Sequence, residues 1–385
     1  MKIRLIALLL GLLSVMGGCQ HEDEIPLPVA KTVFMYLVAD NNLSDYLYKN
    51  IISVEEGLKS VTNAGTFVVY MDAPANSLYQ QPTLFKYETD GRGRVSGPVI
   101  LKAYDEQDST NPEVMLKVFN DMKTACPSDG YGLVIGSHAS GWLPAKKGRS
   151  RSFGDDDGSE IEIPVFVDVL SRTSLHFDYI LMDACMMGSV EVACEFKNVA
   201  DYLIFSPAEV IDAGFPYRDI TKYLLAVGDI EQNVIETAKE YMNYYKTVAY
   251  YQFATISVLK TSELDALAAT TKKIITAHAP ELASFQVSGL QQYGRFGYLY
   301  AAYDFNDFIR TLTQNNIPND FKVALERTII YKDFIVSDKA DIISIKADSY
   351  SGIGCYIPQS FNKKWNLYFK TLQWYAAAGW NNTTW

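Results

Sequence analysis

The sequence predicts an α/β fold: an α-β-α sandwich on a mostly parallel central sheet, with a helical or mixed C-terminal extension. Three observations carry that prediction. The stretch Lys31 to Met71 reads strand, helix, strand, and such a β-α-β opening favours parallel strands with helices on both faces. Two later apolar runs, Gly132 to Gly136 and Tyr179 to Met182, have the length of strands buried on both sides and stop at small polar corners. A content of 48% hydrophobic against 21% charged residues is that of a chain able to bury a sizeable core.

Taken in order, Lys2 and Arg4 precede an apolar stretch from Leu5 to Met16, which ends in Gly17-Gly18-Cys19. That stretch is shorter than the ~20 residues needed to span a bilayer. Its basic start and small-residue end predict a signal peptide over 1–18. Residues 19–30 are polar, acidic and proline-containing, as in a solvated tether. The main folded body is expected over 31–260, with 261–385 as an extension packed on it.

The first strand, Lys31 to Ala39, leads into Asp40-Asn41-Asn42-Leu43-Ser44, read as a loop and helix cap rather than a metal site. A helix follows from about Asp45 to Val61, then a strand from Thr66 to Met71. Leu78 to Tyr87 and Val95 to Ala103 flank a Gly-rich turn and predict a hairpin; no helix follows those glycines, so they are not a phosphate cradle. Asn111-Pro112 opens a helix to about Ala125, and Pro127 to Gly130 breaks the chain before the strand that ends at His138. The basic stretch Lys146, Lys147, Arg149, Arg151 lacks apolar periodicity and reads as a loop. Asp155-Asp156-Asp157-Gly158 lacks the spacing of an EF-hand, and a helix follows from about Ile163 to Thr173.

Beyond Cys185 a helical pattern continues past Glu191, and a strand from Asp201 to Phe205 leads to a loop, Ser206 to Tyr217, at the same sheet edge. The remaining third is read as helices near 231–245, 261–277 and 304–312, with strands near 254–259 and 352–358. The Tyr-rich stretch Tyr293 to Tyr303 is read as core and interface packing rather than a carbohydrate surface.

The formal net charge of -11 argues against nucleic acid as a partner and favours cationic ones. Cys126, Cys194 and Cys355 form no disulfide framework or CxxC pair and are read as structural. With so few histidines, no metal site is assigned.

The chemistry gathers at the strand ends. In an open α/β sheet the carboxyl ends of the strands form the crevice where reactions occur. Two strands here deliver an imidazole, His138, and a thiol, Cys185, to one rim, 47 residues apart. A thiolate is a nucleophile toward carbonyls, and a neighbouring imidazolium favours its formation. A lone Cys after a strand is commonly a small buried hydrophobe. A Cys with a His about 50 residues before it, however, follows the chain order of caspase-type proteases.

The runs Ser137-His-Ala-Ser-Gly-Trp142 and Met182-Asp-Ala-Cys-Met-Met-Gly-Ser-Val-Glu191 closely resemble the His and Cys motifs of the clostripain-like cysteine peptidases, relatives of caspases, gingipains and legumain. The resemblance implies a caspase-like fold and a cysteine endopeptidase that cleaves after Arg or Lys, with a Cys185–His138 dyad. It implies that backbone N–H groups of Cys185 and Ala139 hold the oxyanion, although the family usually has Gly at the latter position. Asp183 matches the family's pocket acid two residues before the nucleophile. Asp212 is the candidate second acid, with Glu209 its rival. Self-cleavage in the family follows a basic residue between the two motifs, which makes Lys146, Lys147, Arg149 and Arg151 the candidates. Cys19 resembles the lipid-bearing residue of a bacterial lipoprotein, implying a cell-envelope protein of the outer membrane, facing periplasm or cell surface. The partners implied are protein or peptide substrates and the membrane, with a monomeric chain. No cofactor is required, and calcium is left open because family members differ in needing it. The competing reading is a catalytically silent lipoprotein of the same fold that binds peptides or envelope partners.

Overall fold

The computed structural model describes residues 29–75, 81–145, 152–250, 252–296, 299–336 and 344–385. Residues 1–28, with Cys19, and residues 146–151, with all four self-cleavage candidates, lie outside the described residues.

The opening unit forms as its pattern predicts. Strand β1 (Thr32–Val38) is followed by helix α1 (Ser44–Leu58) and strand β2 (Ala64–Asp72), which pairs with β1 in parallel. Helix α1 stops at Leu58, a turn short of the expected Val61, where the chain tightens through bonds from Lys59, Ser60 and Val61. The hairpin appears as β3 (Thr83–Asp90) and β4 (Val95–Ala103). Helix α2 (Pro112–Ala125) starts as read, with the Asn111 side chain accepting from the N–H groups of Glu113 and Val114.

Strand β5 (Tyr131–Gly136) then runs to the His138 corner. A small hairpin of β6 (Phe153–Asp156) and β7 (Ser159–Ile161) leads to α3 (Ile163–Arg172). Strand β8 (Phe177–Asp183) ends at the Cys185 corner, followed by α4 (Val190–Phe196), β9 (Ala200–Phe205), α5 (Tyr217–Leu224), α6 (Ile230–Thr247) and β10 (Phe253–Lys260). The last third holds α7 (Leu264–Ala277), the short α8 (Ala279–Leu282), the hairpin β11 (Gln292–Phe296) and β12 (Leu299–Asp304), and α9 (Phe305–Leu312). It ends with α10 (Asn319–Thr328), β13 (Ile329–Val336), β14 (Gly354–Cys355), α11 (Lys363–Phe369) and α12 (Gln373–Ala377).

Nine strands form one sheet in the order β13-β10-β9-β8-β5-β1-β2-β3-β4. The five central strands are parallel, and an antiparallel pair closes each side. Only β3 and β10 run against the common direction, so the sheet is mostly parallel. Alternation along β1 shows why helices cover both faces: Phe34, Tyr36 and Val38 point into one apolar layer and Val33, Met35 and Leu37 into the other. The first layer packs beneath α2, α3, α4 and α7, the second beneath α1, α5 and α6.

Residues 261–385, expected as an extension, supply the edge strand β13 and much of the first apolar layer. The strand expected over 352–358 is only two residues long, yet it pairs with β12 and bridges Ser189, just beyond the Cys185 corner. Within the Tyr-rich stretch Tyr293 and Tyr303 are buried, and Tyr293 donates to Asp304 at 2.9 Å. Among the described residues no helix is long and apolar enough to cross a membrane.

Candidate active site

The parallel centre of the sheet decides what meets. Strands β1, β5, β8 and β9 lie side by side and run the same way, so the residues just after each of them share one rim. His138 follows β5 and Cys185 follows β8, and both line a cleft of about 200 Å³. Asp183, Asp212 and Asn42 line the same cleft.

The two corners are pressed together. Gly141, at φ 66°, passes so close that a Cβ there would sit 2.4 Å from the Met186 carbonyl oxygen, which only glycine permits. Met186 itself has φ 59°, an unfavourable value for a side chain with a Cβ, directly after the thiol. Its N–H donates to Ala208 at 2.8 Å, and Gly188 N–H donates to Ser206 at 2.8 Å. These bonds hold the strained turn against the loop that follows β9.

The thiol of Cys185 faces that loop. It donates to the Val210 carbonyl at 3.6 Å and receives the Val210 N–H at 3.4 Å. Burial pushes its pKa up to about 11; the Val210 N–H opposes the shift, and the charges of Glu209 and Asp183 add to it. The ring of His138 meets Asn42, with Nε2 2.7 Å from Oδ1.

Asp183 forms the floor of the cleft. It is buried, and burial lifts its carboxyl to about 6, against the stabilising bonds from the Tyr217 hydroxyl, at 2.9 Å, and the Phe215 N–H. Gly214, at φ 64°, gives the carboxylate room: a Cβ there would lie 2.6 Å from Oδ2. Asn50 reaches the floor from α1, and its buried side-chain nitrogen has no hydrogen-bond partner. Asp212 lies at the mouth, exposed, bonded to the hydroxyl of Tyr46, whose pKa that bond raises. Glu209, the rival acid, is half-buried, with a carboxyl raised by burial, and it does not line the cleft.

A Clostripain family profile matches residues 35–385. The chain belongs to the clostripain family of cysteine peptidases. It is similar to the inactive zymogen of a C11 protease from Parabacteroides distasonis, at 31% identity and TM-score 0.77, covering 92% of this chain and 99% of that one. A secreted C11 cysteine protease from Bacteroides thetaiotaomicron, in complex with an irreversible peptide inhibitor, is 28% identical with TM-score 0.77, covering 92% of this chain and 100% of that one. Clostripain of Hathewaya histolytica is 26% identical over 223 residues, 51% of this chain and 42% of that protein, so the match spans less than half of clostripain's length.

Against the family pattern, Ala139 is the departure that the sequence flags. It forms an isolated antiparallel bridge with Phe153, flanked by the bonds from Ser140 N–H to Ser152 and from Gly154 N–H to His138. In such a pair the central residue turns its own N–H to the opposite side. Ala139 is absent from the residues of positive φ, so no glycine is required there for this conformation. The expected capping role of the Asn turn is also revised: Leu43 is the helix cap and makes no side-chain bond, while Asn41 closes an Asx turn by accepting from Leu43 N–H at 2.8 Å.

The acids of the Asp155 turn do structural work. Asp155 accepts from Gly158 N–H at 3.1 Å, Asp156 accepts from Ser109 N–H, and Asp157 donates its N–H to Asp40 at 3.1 Å. Among the described residues no group of three or more His, Cys, Asp or Glu is arranged to hold a metal. Cys126, Cys194 and Cys355 are buried and unpaired. Asn42 and Asn50 are the site residues that sequence reading passed over; the only signal for Asn42 is its place just after β1, on the rim.

Proposed function

We propose that the protein is an endopeptidase that hydrolyses peptide bonds after Arg or Lys through Cys185 and His138. The observation that carries this reading is the meeting of a thiol, an imidazole and a buried carboxylate in one cleft. Cys185, as thiolate, attacks the scissile carbonyl, and the oxyanion is received by the N–H groups of Cys185 and Ala139. The imidazolium of His138 gives its proton to the leaving amine as the C–N bond breaks, leaving a thioester. The neutral imidazole then takes a proton from water as the water oxygen attacks the thioester carbonyl; the C–S bond breaks, releasing the acid product and restoring the thiolate and imidazolium.

The side chain before the cleaved bond enters between α1 and the loop after β9. A guanidinium or ammonium buried there needs a partner, and Asp183 supplies the charge. Asp212, at the mouth, acts on approach, whereas Glu209 lies outside the cleft.

The Cys185 thiol sits between the Val210 N–H and carbonyl, and burial raises its pKa, so attack requires that its proton first be removed. Self-cleavage after Lys146, Lys147, Arg149 or Arg151 would free the His138 corner from the chain that continues to β6. The similarity to a C11 zymogen supports that reading. On this reading Cys19 carries a lipid, and the enzyme works as an anchored monomer at the outer membrane.

The test is cleavage of matched fluorogenic peptides ending in Arg, Lys, Asp or Leu, by the chain from residue 20 before and after limited trypsin treatment, beside Cys185→Ala. Cleavage of the Arg and Lys peptides alone, lost in the variant, is expected. Cleavage of another peptide would overturn the pocket assignment. No cleavage under any condition would favour the silent, peptide-binding lipoprotein.

A further inference from the structure

We infer that Asn42 is the positioning residue for His138: its side-chain carbonyl fixes the tautomer and plane of the imidazole that works with Cys185. The inference rests on the Cys–His reading above and adds a third member to it.

The geometry is direct. Nε2 of His138 lies 2.7 Å from Oδ1 of Asn42, and an amide oxygen can only accept. The ring therefore carries its proton on Nε2, and in the neutral ring the lone pair is on Nδ1. When the ring becomes imidazolium, the same oxygen still accepts, so one contact serves both protonation states of the cycle. An amide does this without the added negative charge of a carboxylate, which would hold the imidazolium more tightly and make it a poorer acid toward the leaving amine.

The acceptor is also held in place, although Asn42 itself is exposed. Its neighbour Asn41 donates through Nδ2 to the Val38 carbonyl at 3.0 Å and to the Asp155 carbonyl at 2.7 Å. Ser137, beside His138, donates to the same Val38 carbonyl at 2.7 Å and accepts from Asp155 N–H at 3.2 Å. The end of β1, the end of β5 and the β6 turn are thus pinned to one another. The His138–Asn42 distance is set by that lattice of bonds and not by the Asn42 side chain alone.

Two measurements test this. In the trypsin-activated enzyme, Asn42→Ala is expected to lower kcat about 10- to 100-fold with KM within about twofold, a share of the usual acid–base contribution. The alkaline limb of its pH profile moves down, and Asn42→Asp recovers activity at low pH with that limb about one unit higher. The other charges near the ring, those of Asp183 and Asp212 in the cleft, of Glu209 just outside it, and of Asp40, Asp155 and Asp157 at the turn, are the same in all three proteins.

The second measurement needs no turnover: ring-nitrogen NMR of histidine-labelled protein, with His138 assigned by His138→Ala. The Nε2–H tautomer is expected, lost in Asn42→Ala. An Nδ1–H tautomer in the unaltered protein, or an Asn42→Ala enzyme with unchanged kcat and limbs, would overturn the inference. So would increased activity, which would mark the contact as an inhibitory latch, and so would equal losses in both Asn42 variants with unmoved limbs. Full cleavage by Cys185→Ala or His138→Ala would instead remove the reading beneath it.

Discussion

The two aspartates of the cleft share a charge and a location and differ in almost everything else. Asp183 ends a central strand, is buried, and has its position set by the Tyr217 hydroxyl, the Phe215 N–H and the space left by Gly214. Asp212 stands at the mouth on an exposed loop, in contact with the hydroxyl of Tyr46. A carboxylate already stripped of water and fixed by neighbours gains most from an incoming cation, because its desolvation was met during folding. A solvated carboxylate must give up water to bind and is screened by salt, so it contributes to approach more than to affinity. On the proposed specificity, recognition of a basic side chain is therefore expected to be concentrated at the floor.

The largest expected effect is at that floor. Asp183→Asn keeps the shape and removes the charge; kcat/KM for an Arg peptide is expected to fall about 1,000-fold, the scale of an unpaired buried charge. A loss under tenfold would break the comparison. Next comes pH. Because burial raises Asp183 to about 6, its carboxylate is mostly ionised at pH 7 and mostly protonated at pH 5. KM for an Arg peptide is therefore expected to rise about tenfold over that interval. The same shift affects folding in the opposite sense. The native state holds this proton more tightly than the unfolded chain, so stability from this group falls as pH rises from about 4 to 6, as denaturation midpoints can check.

Gly214→Ala tests whether the floor is fixed or adaptable. The added Cβ would meet the Asp183 carboxylate at a backbone angle that suits glycine, and a loss of about tenfold in kcat/KM with about 1–2 kcal/mol of stability is expected. The smallest effect is at the mouth. Asp212→Asn is expected to lower kcat/KM about twofold to threefold at low salt, and by less at high salt. A salt-independent loss as large as that of Asp183→Asn would reverse the roles.

The same contrast explains what could be read from the sequence. Asp183, Cys185 and His138 follow apolar runs whose length and abrupt ends mark buried parallel strands, so their meeting on one rim follows from topology alone. Glu209 and Asp212 belong to a loop whose path depends on contacts with α1 and the Cys185 turn, and spacing could not choose between them. Strand β13 went unread because Thr328 ends α10 and Ile329 begins the strand with no turn residue between, and its partner β10 lies some 70 residues earlier. Asn42 went unread for a different reason. Its turn has an adequate local explanation in Asn41, and only the position of β5 beside β1 reveals what the neighbouring amide touches.

The order of the sheet has one more consequence. A break within 146–151 falls between β5 and β6 in the chain, and in the sheet it separates β5-β1-β2-β3-β4 from β8-β9-β10-β13 without interleaving a single strand. Each fragment keeps a contiguous half-sheet, and the two meet along the parallel ladder from Gly132–Tyr179 to Gly136–Asp183. His138 rides on one half and Cys185 on the other. A nicked molecule would be two chains with the His138–Cys185 cleft on the seam, so that whatever shifts the halves along that seam would set the distance between imidazole and thiol.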